Sequence, residues 1–343
     1  MAKKILTIES SCDETSAAII DDQLNILGTV VASQEAIHER FGGVVPEVAS
    51  RAHLEAILPV LEKTFQRAGC TLGDLDAVAV ANSPGLAGSL LIGLMAAKTI
   101  AFLTGKPLIA VNHLQAHIYA CRVAYKVDPF PCVGLIVSGG HTSLFRCQDA
   151  LDFEEIGGTI DDAAGEAFDK AAAMLGLPYP GGPSISRCAA AGDPKAIAFP
   201  RPLVNEPDRL QFSFSGLKTA VRYKICGPGG TDTASVRLTD RQKADIAASF
   251  QAAVSDCLVA KSMAALRLTS MKTLCVGGGV AANQTFRRQL EEAAAKGKIR
   301  LFIAPPQLCT DNAVMGAIAW ERYRAGLFEP LDLNIYPTKP NKI

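Results

Sequence analysis

Two histidines lie four residues apart in the segment Asn112–His113–Leu114–Gln115–Ala116–His117. On a helix, side chains at this spacing project from the same face, so His113 and His117 can bind one metal ion together. Two solvated or hydrogen-bonded histidines would show the same spacing, because an isolated pair is not specific. A metal site at this position therefore needs a third ligand from elsewhere in the chain.

The best candidate for the third ligand is Asp311, in the segment Cys309–Thr310–Asp311–Asn312. It follows an expected strand and the turn Pro305–Pro306, so it should lie at the end of that strand. The alternative is helix capping, which stabilises a helix by about 1 kcal/mol when an aspartate satisfies free backbone N–H groups. Both roles can coexist here, with Thr310 or Asp311 providing the cap.

Two histidines and one aspartate with open coordination positions suit iron or zinc acting as a Lewis acid. These residues alone do not decide between the two metals. They argue against a peptidase of the His-Glu-x-x-His type, because that mechanism needs a glutamate directly after the first histidine. Leu114 occupies that position.

Two glycine-rich segments are candidates for binding an anion or a nucleotide. Ser138–Gly139–Gly140–His141 is an expected hairpin turn, whose successive N–H groups can form an anion-binding nest. Gly277–Gly278–Gly279 leads through Asn283 into an expected helix, where glycines let the backbone approach a flat ligand. A plain tight turn is the alternative explanation for each segment.

Acidic residues also mark the segment from Asp161 to Lys170, which is expected to open a helix. Favourable interaction with the helix dipole explains acids in its first turn, including Asp161 and Asp162. Asp169 lies one turn further along, where capping no longer applies, so it is a candidate for binding a ligand hydroxyl.

The elements that position these residues alternate between strands and helices. Strands are expected at 5–9, 15–20, 77–81, 108–111, 132–137, 142–147, 273–276 and 300–304, and helices at 86–103, 281–295 and from about 311. Such alternation predicts an α/β protein with mainly parallel sheets. Strand, polar turn and strand occur in this order twice, at 5–20 and at 132–147.

Two hairpin-led α/β lobes resemble the actin, sugar-kinase and Hsp70 type of ribonuclease H-like fold. We therefore expect an N-terminal lobe at 1–130 and a C-terminal lobe at 131–343, each led by a β-hairpin. A proline-rich stretch at about 176–241 is expected to form an inserted region of loops and short helices.

Composition indicates a globular protein without a strong overall field. The 343 residues include 34 basic and 34 acidic side chains, so any RNA contact must come from a local patch. The ten cysteines form no Cys-x-x-Cys pair and are expected to be buried thiols in a reducing compartment. The apolar stretch 86–104 is expected to be a packed helix, because small residues and Lys98 interrupt it. No export signal is expected, and the protein should be cytoplasmic with no membrane association.

Taken together, a set of ordered motifs resembles the tRNA N6-adenosine threonylcarbamoyltransferase family almost from end to end. These motifs are Glu9–Thr15, Pro84–Leu86, Asn112–His113 with His117, Val137–Thr142, Ile160–Lys170, Tyr179–Gly182, Phe212–Lys218, Gly277–Asn283 and Cys309–Asn312. The compact length resembles the TsaD type of bacteria or mitochondria, a family once labelled a glycoprotease.

The resemblance implies a reaction that moves a threonylcarbamoyl group from threonylcarbamoyl-AMP to N6 of adenosine 37 in tRNAs that read codons beginning with A. It implies one divalent metal ion per subunit, with Fe²⁺ favoured and Zn²⁺ possible, held by His113, His117 and Asp311. The donor would contact Ile136, Val137, Ser138, Gly139 and Gly140, with Asp169, Gly182 and Asn283 around its adenosine end.

The adenine amine is a poor nucleophile, so its attack needs close positioning and stabilisation of the carbonyl oxygen. It must then lose a proton, and Asp13 or Glu14 in the first hairpin turn is the expected catalytic acceptor. A solvated polar turn is the alternative for this acidic pair.

The resemblance also implies partners. These are a TsaB-like paralogue and a TsaE-like ATPase if the protein is bacterial, whereas the mitochondrial type acts alone in the mitochondrial matrix. The apolar residues at 44–61 could form a homodimer face, although an ordinary amphipathic core stripe is the favoured explanation. Rival functions are an actin-like ATPase or kinase, a metallopeptidase, and a non-catalytic nucleotide-binding module.

Overall fold

The computed structural model describes residues 2–230, 232–233 and 235–338. Its strands are β1 Lys4–Glu9, β2 Glu14–Asp21, β3 Ile26–Ser33, β4 Ala77–Ser83, β5 Leu108–Asn112, β6 Cys132–Val137, β7 Thr142–Cys147, β8 Phe153–Gly158, β9 Thr273–Gly277 and β10 Arg300–Ile303. Its α-helices are α1 Glu35–His38, α2 Pro46–Ala68, α3 Ala87–Thr104, α4 His113–Tyr125, α5 Ala164–Met174, α6 Gly181–Ala189, α7 Ser215–Cys226, α8 Asp240–Thr269, α9 Gln284–Gly297, α10 Pro306–Cys309 and α11 Ala319–Arg324.

The strands form two five-stranded sheets with the same topology. The first has the order β3-β2-β1-β4-β5 and the second the order β10-β9-β6-β7-β8. In each sheet the leading strand pairs antiparallel with its hairpin partner on one side and parallel with a later strand on the other. The predicted α/β class and the two hairpins that lead the sheets are confirmed.

The chain divides into two compact units. Unit 1 comprises 1–129, 148–153 and 310–343, and unit 2 comprises 130–147 and 154–309. The expected lobes, 1–130 and 131–343, differ from these units mainly at the C-terminal segment, whose described residues, 310–338, lie in unit 1. Two hydrogen bonds hold the C-terminal segment to the first sheet. Thr7 donates its hydroxyl to the Ala313 carbonyl at 2.6 Å, and the Ser16 hydroxyl accepts from the Ala313 N–H at 2.9 Å.

In unit 1, a continuous apolar core lies between the sheet and the helices α2 and α3. Alternate residues of the central strands, such as Leu6, Ile8 and Val80, pack against Ile57 and Leu94 of these helices. Burial of these side chains, at about 25 cal/mol per Å² of apolar surface, is the main force that holds the helices on the sheet.

The predicted apolar stripe of α2 is buried in one part and exposed in the other. Ile57 and Leu61 are buried in the core, as the core-stripe explanation predicts. Leu54 and Leu58, on the same helix, are 64% and 72% exposed. The homodimer-face prediction therefore applies only to this outer part of the helix.

Helix α3 has the length and hydropathy that a membrane span would need. Its small and apolar residues Ser89, Leu90, Gly93 and Leu94 are buried within unit 1, as expected for a packed core helix. Its outer residues Met95 and Phe102 are exposed. Such a helix is common in the cores of soluble proteins, so its composition is weak evidence for a membrane.

Unit 2 contains the region predicted as an insertion at 176–241. Within it lie α6 and α7, which agrees with the expected short helices. The 30-residue helix α8 follows, and it begins with a capping box in which Thr239 and Gln242 bond reciprocally. This helix was not predicted, because its apolar residues surround it on most sides instead of forming one stripe.

Candidate active site

Helix α4 begins at the first histidine of the predicted pair. The Asn112 side chain caps it by accepting hydrogen bonds from the N–H groups of Leu114 and Gln115, at 3.0 and 3.1 Å. This cap fixes His113 in the first helical position and His117 one turn later. The two imidazole centroids are 4.6 Å apart, so the pair does share one face.

Asp311 joins these histidines, all three within unit 1. Its Oδ1 atom lies 3.6 Å from His113 Nε2 and 3.1 Å from His117 Nε2. Single ligand atoms from the three residues lie within 4.8 Å of one another, so the group could hold a metal ion. The prediction that residues from β5–α4 and from the C-terminal segment converge is thus met by the geometry.

The surroundings of His117 fit a cation. Its side chain is fully buried, and neither ring nitrogen makes a hydrogen bond of good geometry within the described part of the chain, although Nε2 lies 3.1 Å from Asp311 Oδ1. A buried polar atom without a partner costs about 1–3 kcal/mol. Nitrogen and carboxylate oxygen donors are those that zinc and iron accept, so a metal ion at this position would remove the cost.

A second carboxylate orients His113. Glu9, at the end of β1, places Oε2 3.1 Å from His113 Nδ1, and its Oε1 accepts the Ser11 N–H at 2.6 Å. A ring that donates through Nδ1 presents Nε2 toward Asp311, the arrangement usual for histidine metal ligands. Burial would lower the pKa of His113, but Asp311 and Glu9 raise it to about 9. No role was predicted for Glu9, although an acid at the end of an apolar strand is a usable signal in the sequence.

The helix cap near Asp311 differs from the prediction. Asn312 accepts the Met315 N–H at 3.3 Å and caps the 3-10 turn Ala313–Ile318, which precedes α11. The assignment of the cap to Thr310 or Asp311 was therefore wrong. Asparagine satisfies an N-cap as well as aspartate does, so sequence alone could not rank these neighbours.

The predicted proton acceptors lie next to the metal-binding group in unit 1. Asp13 ends the turn between β1 and β2, and Glu14 begins β2. Burial, followed by the negative charges of Asp311 and Asp13, raises the pKa of Glu14 well above its usual range. Both residues are half-buried, and Glu14 lies close enough to Asp311 and Asp13 for their charges to disfavour its ionised form.

In unit 2, the two predicted glycine-rich segments lie side by side. Gly278, at the end of β9, has φ of +95°, and a Cβ there would lie 2.4 Å from the Val137 carbonyl oxygen. Only glycine permits this approach, which brings the loop before Asn283 against the residues Ile136 and Val137. Gly139, Gly140 and Gly279 have open space where a side chain would begin.

The N-terminus of α5 binds the backbone of the hairpin turn at Ser138 and Gly139. The N–H groups of Gly165 and Glu166 donate to the carbonyls of Ser138 and Gly139, at 3.2 and 3.1 Å. A Cβ on Gly165 would lie 2.6 Å from the Ser138 oxygen, so the contact is backbone to backbone. The turn is therefore fixed in unit 2.

Asp169 and Gly182, predicted to bind the adenosine end of the donor, are neighbours in space. Asp169 accepts the Gly181 N–H at 2.7 Å, which ties α5 to the start of α6. Gly182 follows immediately and has open space around its Cα.

Asn283 also bonds to α6. Its amide donates to Ser186 at 3.0 Å and to Gln251 at 2.8 Å, while its oxygen caps α9 through the Phe286 N–H. Both donors of Asn283 are therefore already used, which leaves its backbone and oxygen for any ligand. Ser186 and Gln251 were missed in the sequence, although a buried glutamine in an apolar helix is a usable signal.

Asp161 and Asp162 do not act in the first turn of α5, which begins at Ala164. Asp161 instead caps α7, accepting the hydroxyls of Ser213 and Ser215 at 2.6 and 2.7 Å and the Phe214 N–H at 2.8 Å. Asp162 pairs with Lys170 and Lys218 at 2.9 and 3.1 Å. The dipole explanation was wrong for both residues, because both precede α5, and their partners are the start of α7 for Asp161 and the two lysines for Asp162.

The expected free thiols agree with the structure. None of the ten cysteines forms a disulfide in the described part of the chain. Six of them are buried as expected, namely Cys121, Cys132, Cys147, Cys257, Cys275 and Cys309, and the other four are half-buried.

Similar proteins of known family identify the family of this chain. Residues 25–318 match the family model TsaD, tRNA N6-adenosine threonylcarbamoyltransferase. A Rhodopirellula baltica protein of that name is 55% identical over 344 residues, covering 97% of this chain and 96% of the relative. One of the same name from Moorella thermoacetica is 49% identical over 337 residues, covering 98% and 96%.

Solved structures resemble the fold at low identity. T. kodakarensis HypF has a TM-score of 0.62 at 14% identity, covering 95% of this chain and 48% of that one. A ROK family protein from Streptococcus pneumoniae has a TM-score of 0.54 at 12% identity, covering 94% and 100%. These likenesses show the actin and sugar-kinase type of fold alone. The family follows from the sequence relatives and the model match: the chain belongs to the tRNA N6-adenosine threonylcarbamoyltransferase family.

Proposed function

We propose that the protein transfers the threonylcarbamoyl group of threonylcarbamoyl-AMP to N6 of adenosine 37 in tRNAs that read codons beginning with A, releasing AMP. The observation that carries this proposal is family membership over 25–318, with relatives of that name at 49–55% identity along nearly the whole chain. The convergence of His113, His117 and Asp311 supports it, because the reaction needs an activated carbonyl.

In the proposed reaction, a bond forms between N6 of adenine and the carbamoyl carbon. The bond from that carbon to the phosphate oxygen breaks, and AMP leaves with the electron pair. N6 then loses one proton. AMP is a good leaving group in such a mixed anhydride, so the main requirements are positioning of the amine and stabilisation of charge on the carbonyl oxygen.

His113, His117 and Asp311 would hold the metal ion, for which we propose Fe²⁺ ahead of Zn²⁺. When bound, a divalent ion supplies Lewis-acid polarisation of the carbonyl oxygen. Glu9 keeps the His113 ring in the orientation that ligation needs, since it accepts from Nδ1 at 3.1 Å. Asp13 or Glu14 takes the proton from N6, because both are carboxylates close to this group.

We assign donor binding to the loops of unit 2. Backbone N–H groups of Ile136 to Gly140 would face the phosphate and carbamoyl oxygens, because Gly139 and Gly140 have no side chain to block approach. Asp169, Gly182 and Asn283 would surround the adenosine end of the donor. Two hydrogen bonds support this placement, because they connect α5, α6 and the loop before α9. The Gly181 N–H donates to Asp169, and the Asn283 amide donates to Ser186.

The outer surface of α2 and α3 is the proposed partner site. Leu54, Leu58, Met95, Phe102 and Leu103 are all more than half exposed there. Apolar side chains gathered on two adjacent helices are unusual for a free surface. We propose a TsaB-like paralogue as the occupant, with a TsaE-like ATPase as a further component and a second copy of this chain as the alternative. The free thiols suit a cytoplasmic location.

Introduction of a charged side chain tests this partner surface. Leu58→Glu should abolish co-elution with the paralogue, while Leu268→Glu, at a similarly apolar exposed position in unit 2, should leave it intact. Co-elution of the Leu58 variant would contradict the assignment, and self-association lost only in Leu58→Glu would favour the homodimer.

Reconstitution tests the function. The metal-loaded protein, its partners, threonylcarbamoyl-AMP and an unmodified tRNA should yield threonylcarbamoyladenosine, measured by mass spectrometry of nucleosides. Product formation should fail with Asp311→Asn and with a tRNA that carries guanosine at position 37. Phosphoryl transfer from ATP without any carbamoyl donor would instead support the kinase alternative, and peptide cleavage that is lost in His113→Ala would support the peptidase.

A further inference from the structure

The turn that carries Asp13 and Glu14 is held by one buried histidine that the mechanism does not use. His53, in α2, is fully buried. Its Nε2 atom lies 3.0 Å from the Cys12 carbonyl oxygen, and its Nδ1 atom lies 2.7 Å from the Thr15 hydroxyl. The two contacts bracket the acidic pair on both sides.

These contacts define the state of the ring. The Cys12 oxygen only accepts, so Nε2 carries the proton, and Nδ1 of the neutral ring accepts from the Thr15 hydroxyl. Burial lowers the pKa of His53, although the bond to Cys12 opposes this, which agrees with a neutral ring. The ring is thus a rigid spacer with both nitrogens satisfied.

Helix α3 holds the same carbonyl from a second direction. The Ser89 hydroxyl donates to the Cys12 oxygen at 3.3 Å, and the Ser89 carbonyl accepts the Ser10 hydroxyl at 2.8 Å. The Leu86 N–H donates to the Ser11 carbonyl at 2.8 Å. Each residue of the turn before Asp13 is therefore fixed to α3.

The fit between the turn and α3 leaves no room for adjustment. A Cβ on Gly85 would lie 2.5 Å from the Ser11 carbonyl oxygen, and one on Gly93 would lie 2.4 Å from the Ser10 hydroxyl oxygen. Helices α2 and α3 are equally close to each other, since a Cβ on Gly88 would lie 2.2 Å from the Ser50 hydroxyl oxygen. Two helices and the turn thus form one closely packed assembly within unit 1.

We infer that His53 and Ser89 are positioning residues for transfer, which set the Cys12 carbonyl and thereby the direction in which Asp13 and Glu14 point. This inference rests on the proposed function and deepens it. A proton acceptor is effective only within hydrogen-bond reach of its proton, and a displacement of about 1 Å costs on the order of 100-fold in rate. The hydrogen bonds of His53 go to Thr15 and Cys12, and the Ser89 hydroxyl also donates to Cys12.

Replacing His53 by glutamine or by asparagine distinguishes its contact with Cys12 from its contact with Thr15. Glutamine places an amide N–H near the position of Nε2 and keeps a donor for Cys12, whereas asparagine reaches only the position of Nδ1 and loses it. Thr15→Val removes the partner of Nδ1 alone. Ser89→Ala removes the second donor, and Ser262→Ala is its control, because Ser262 is equally buried but bonds only within its own helix α8.

The experiment measures kcat and KM for transfer with each metal-loaded variant and its partners, together with metal content and urea unfolding. We expect His53→Asn to lower kcat by about 10–100-fold, as loss of an orienting contact does elsewhere. KM and metal content should stay near the wild-type values. His53→Gln should recover most of kcat, Ser89→Ala should lower it by a smaller factor, and Ser262→Ala should not change it.

The outcomes are distinguishable. Equal kcat in wild type and His53→Asn would overturn the positioning role while leaving the proposed function intact. Loss of kcat by the glutamine and asparagine variants alike, in proportion to lost stability, would also overturn it, because it would indicate a purely structural histidine. A wild-type protein that makes no product would refute the proposed function and this role together.

Discussion

Two adjacent glycines at the start of α6 offer a matched pair of substitutions in unit 2. A Cβ on Gly181 would lie 2.4 Å from the Asp169 Cα atom and 2.5 Å from the Phe168 carbonyl oxygen. A Cβ on Gly182 would meet nothing within 4 Å. Alanine therefore has opposite consequences at the two positions, although the local sequence is nearly the same.

The cost at Gly181 follows from these distances. Ordinary contacts begin near 3.4 Å, so α6 must move away from α5 by about 1 Å, and such overpacking costs about 1–3 kcal/mol. The movement also stretches the 2.7 Å hydrogen bond from Gly181 to the Asp169 carboxylate. A bond to a charged group contributes about 1.5–3 kcal/mol, so Gly181→Ala should cost about 3–5 kcal/mol in total.

Gly182→Ala should leave stability unchanged or raise it by up to about 1 kcal/mol, because alanine favours helix over glycine. The proposed role of Gly182 predicts a separate effect. A methyl group in the open space should weaken binding of a non-transferable threonylcarbamoyl-AMP analogue by about tenfold or more, which corresponds to about 1.4 kcal/mol.

Urea unfolding and calorimetric titration of the analogue measure the two effects on the same proteins. Gly181→Ala with wild-type stability would refute the close approach of α5 and α6. Gly182→Ala with wild-type affinity would refute its placement at the donor. Gly216→Ala is a control for both measurements, since a Cβ there also meets nothing within 4 Å and no ligand is assigned to it.

Three further perturbations test other parts of the structure. His117→Ala should reduce bound metal from about one ion per chain to almost none by elemental analysis, because it removes one of three donors; His38→Ala, a buried histidine outside the trio, should retain the ion. Asp161→Ala should destabilise the protein by about 1–2 kcal/mol at pH 7 through loss of the α7 cap. Burial alone would raise the pKa of Asp161, but hydrogen bonds from Ser213, Phe214 and Ser215 lower it from 3.8. The stability difference from wild type should therefore be full above pH 4 and shrink as pH falls through the lowered pKa, and a pH-independent difference in urea unfolding would contradict this. Tyr119→Phe removes a 2.6 Å hydrogen bond from α4 to Glu321. It should lower stability in thermal unfolding by about 1–2 kcal/mol and not more, because Arg324 still pairs with the Glu321 carboxylate.

Local patterns allowed much of this site to be predicted. The spacing of His113 and His117 predicted a shared helix face, whereas the Asn112 cap that begins this helix at His113 was not predicted. The two hairpins were also visible, because each has apolar runs on either side of a polar or glycine-rich turn.

What could not be predicted depends on contacts distant in sequence. Asp161 caps a helix whose N-terminus lies more than fifty residues later, and no local pattern distinguishes that role from interaction with its own helix. Gln251 bonds Asn283 and Ser186 from a helix that was not predicted at all. The placement of the C-terminal segment, described to residue 338, in unit 1 involves hydrogen bonds between Ala313 and the Thr7 and Ser16 hydroxyls, which only the folded chain shows.

The most direct test of the account follows the carbamoyl carbon through a single turnover. Threonylcarbamoyl-AMP labelled at that carbon is mixed with excess metal-loaded enzyme, its partners and unmodified tRNA. The account predicts one label on adenosine 37 for each AMP released, in wild type and not in Asp311→Asn. Release of AMP with the label recovered as bicarbonate beside unlabelled free threonine, and none on the tRNA, would contradict it.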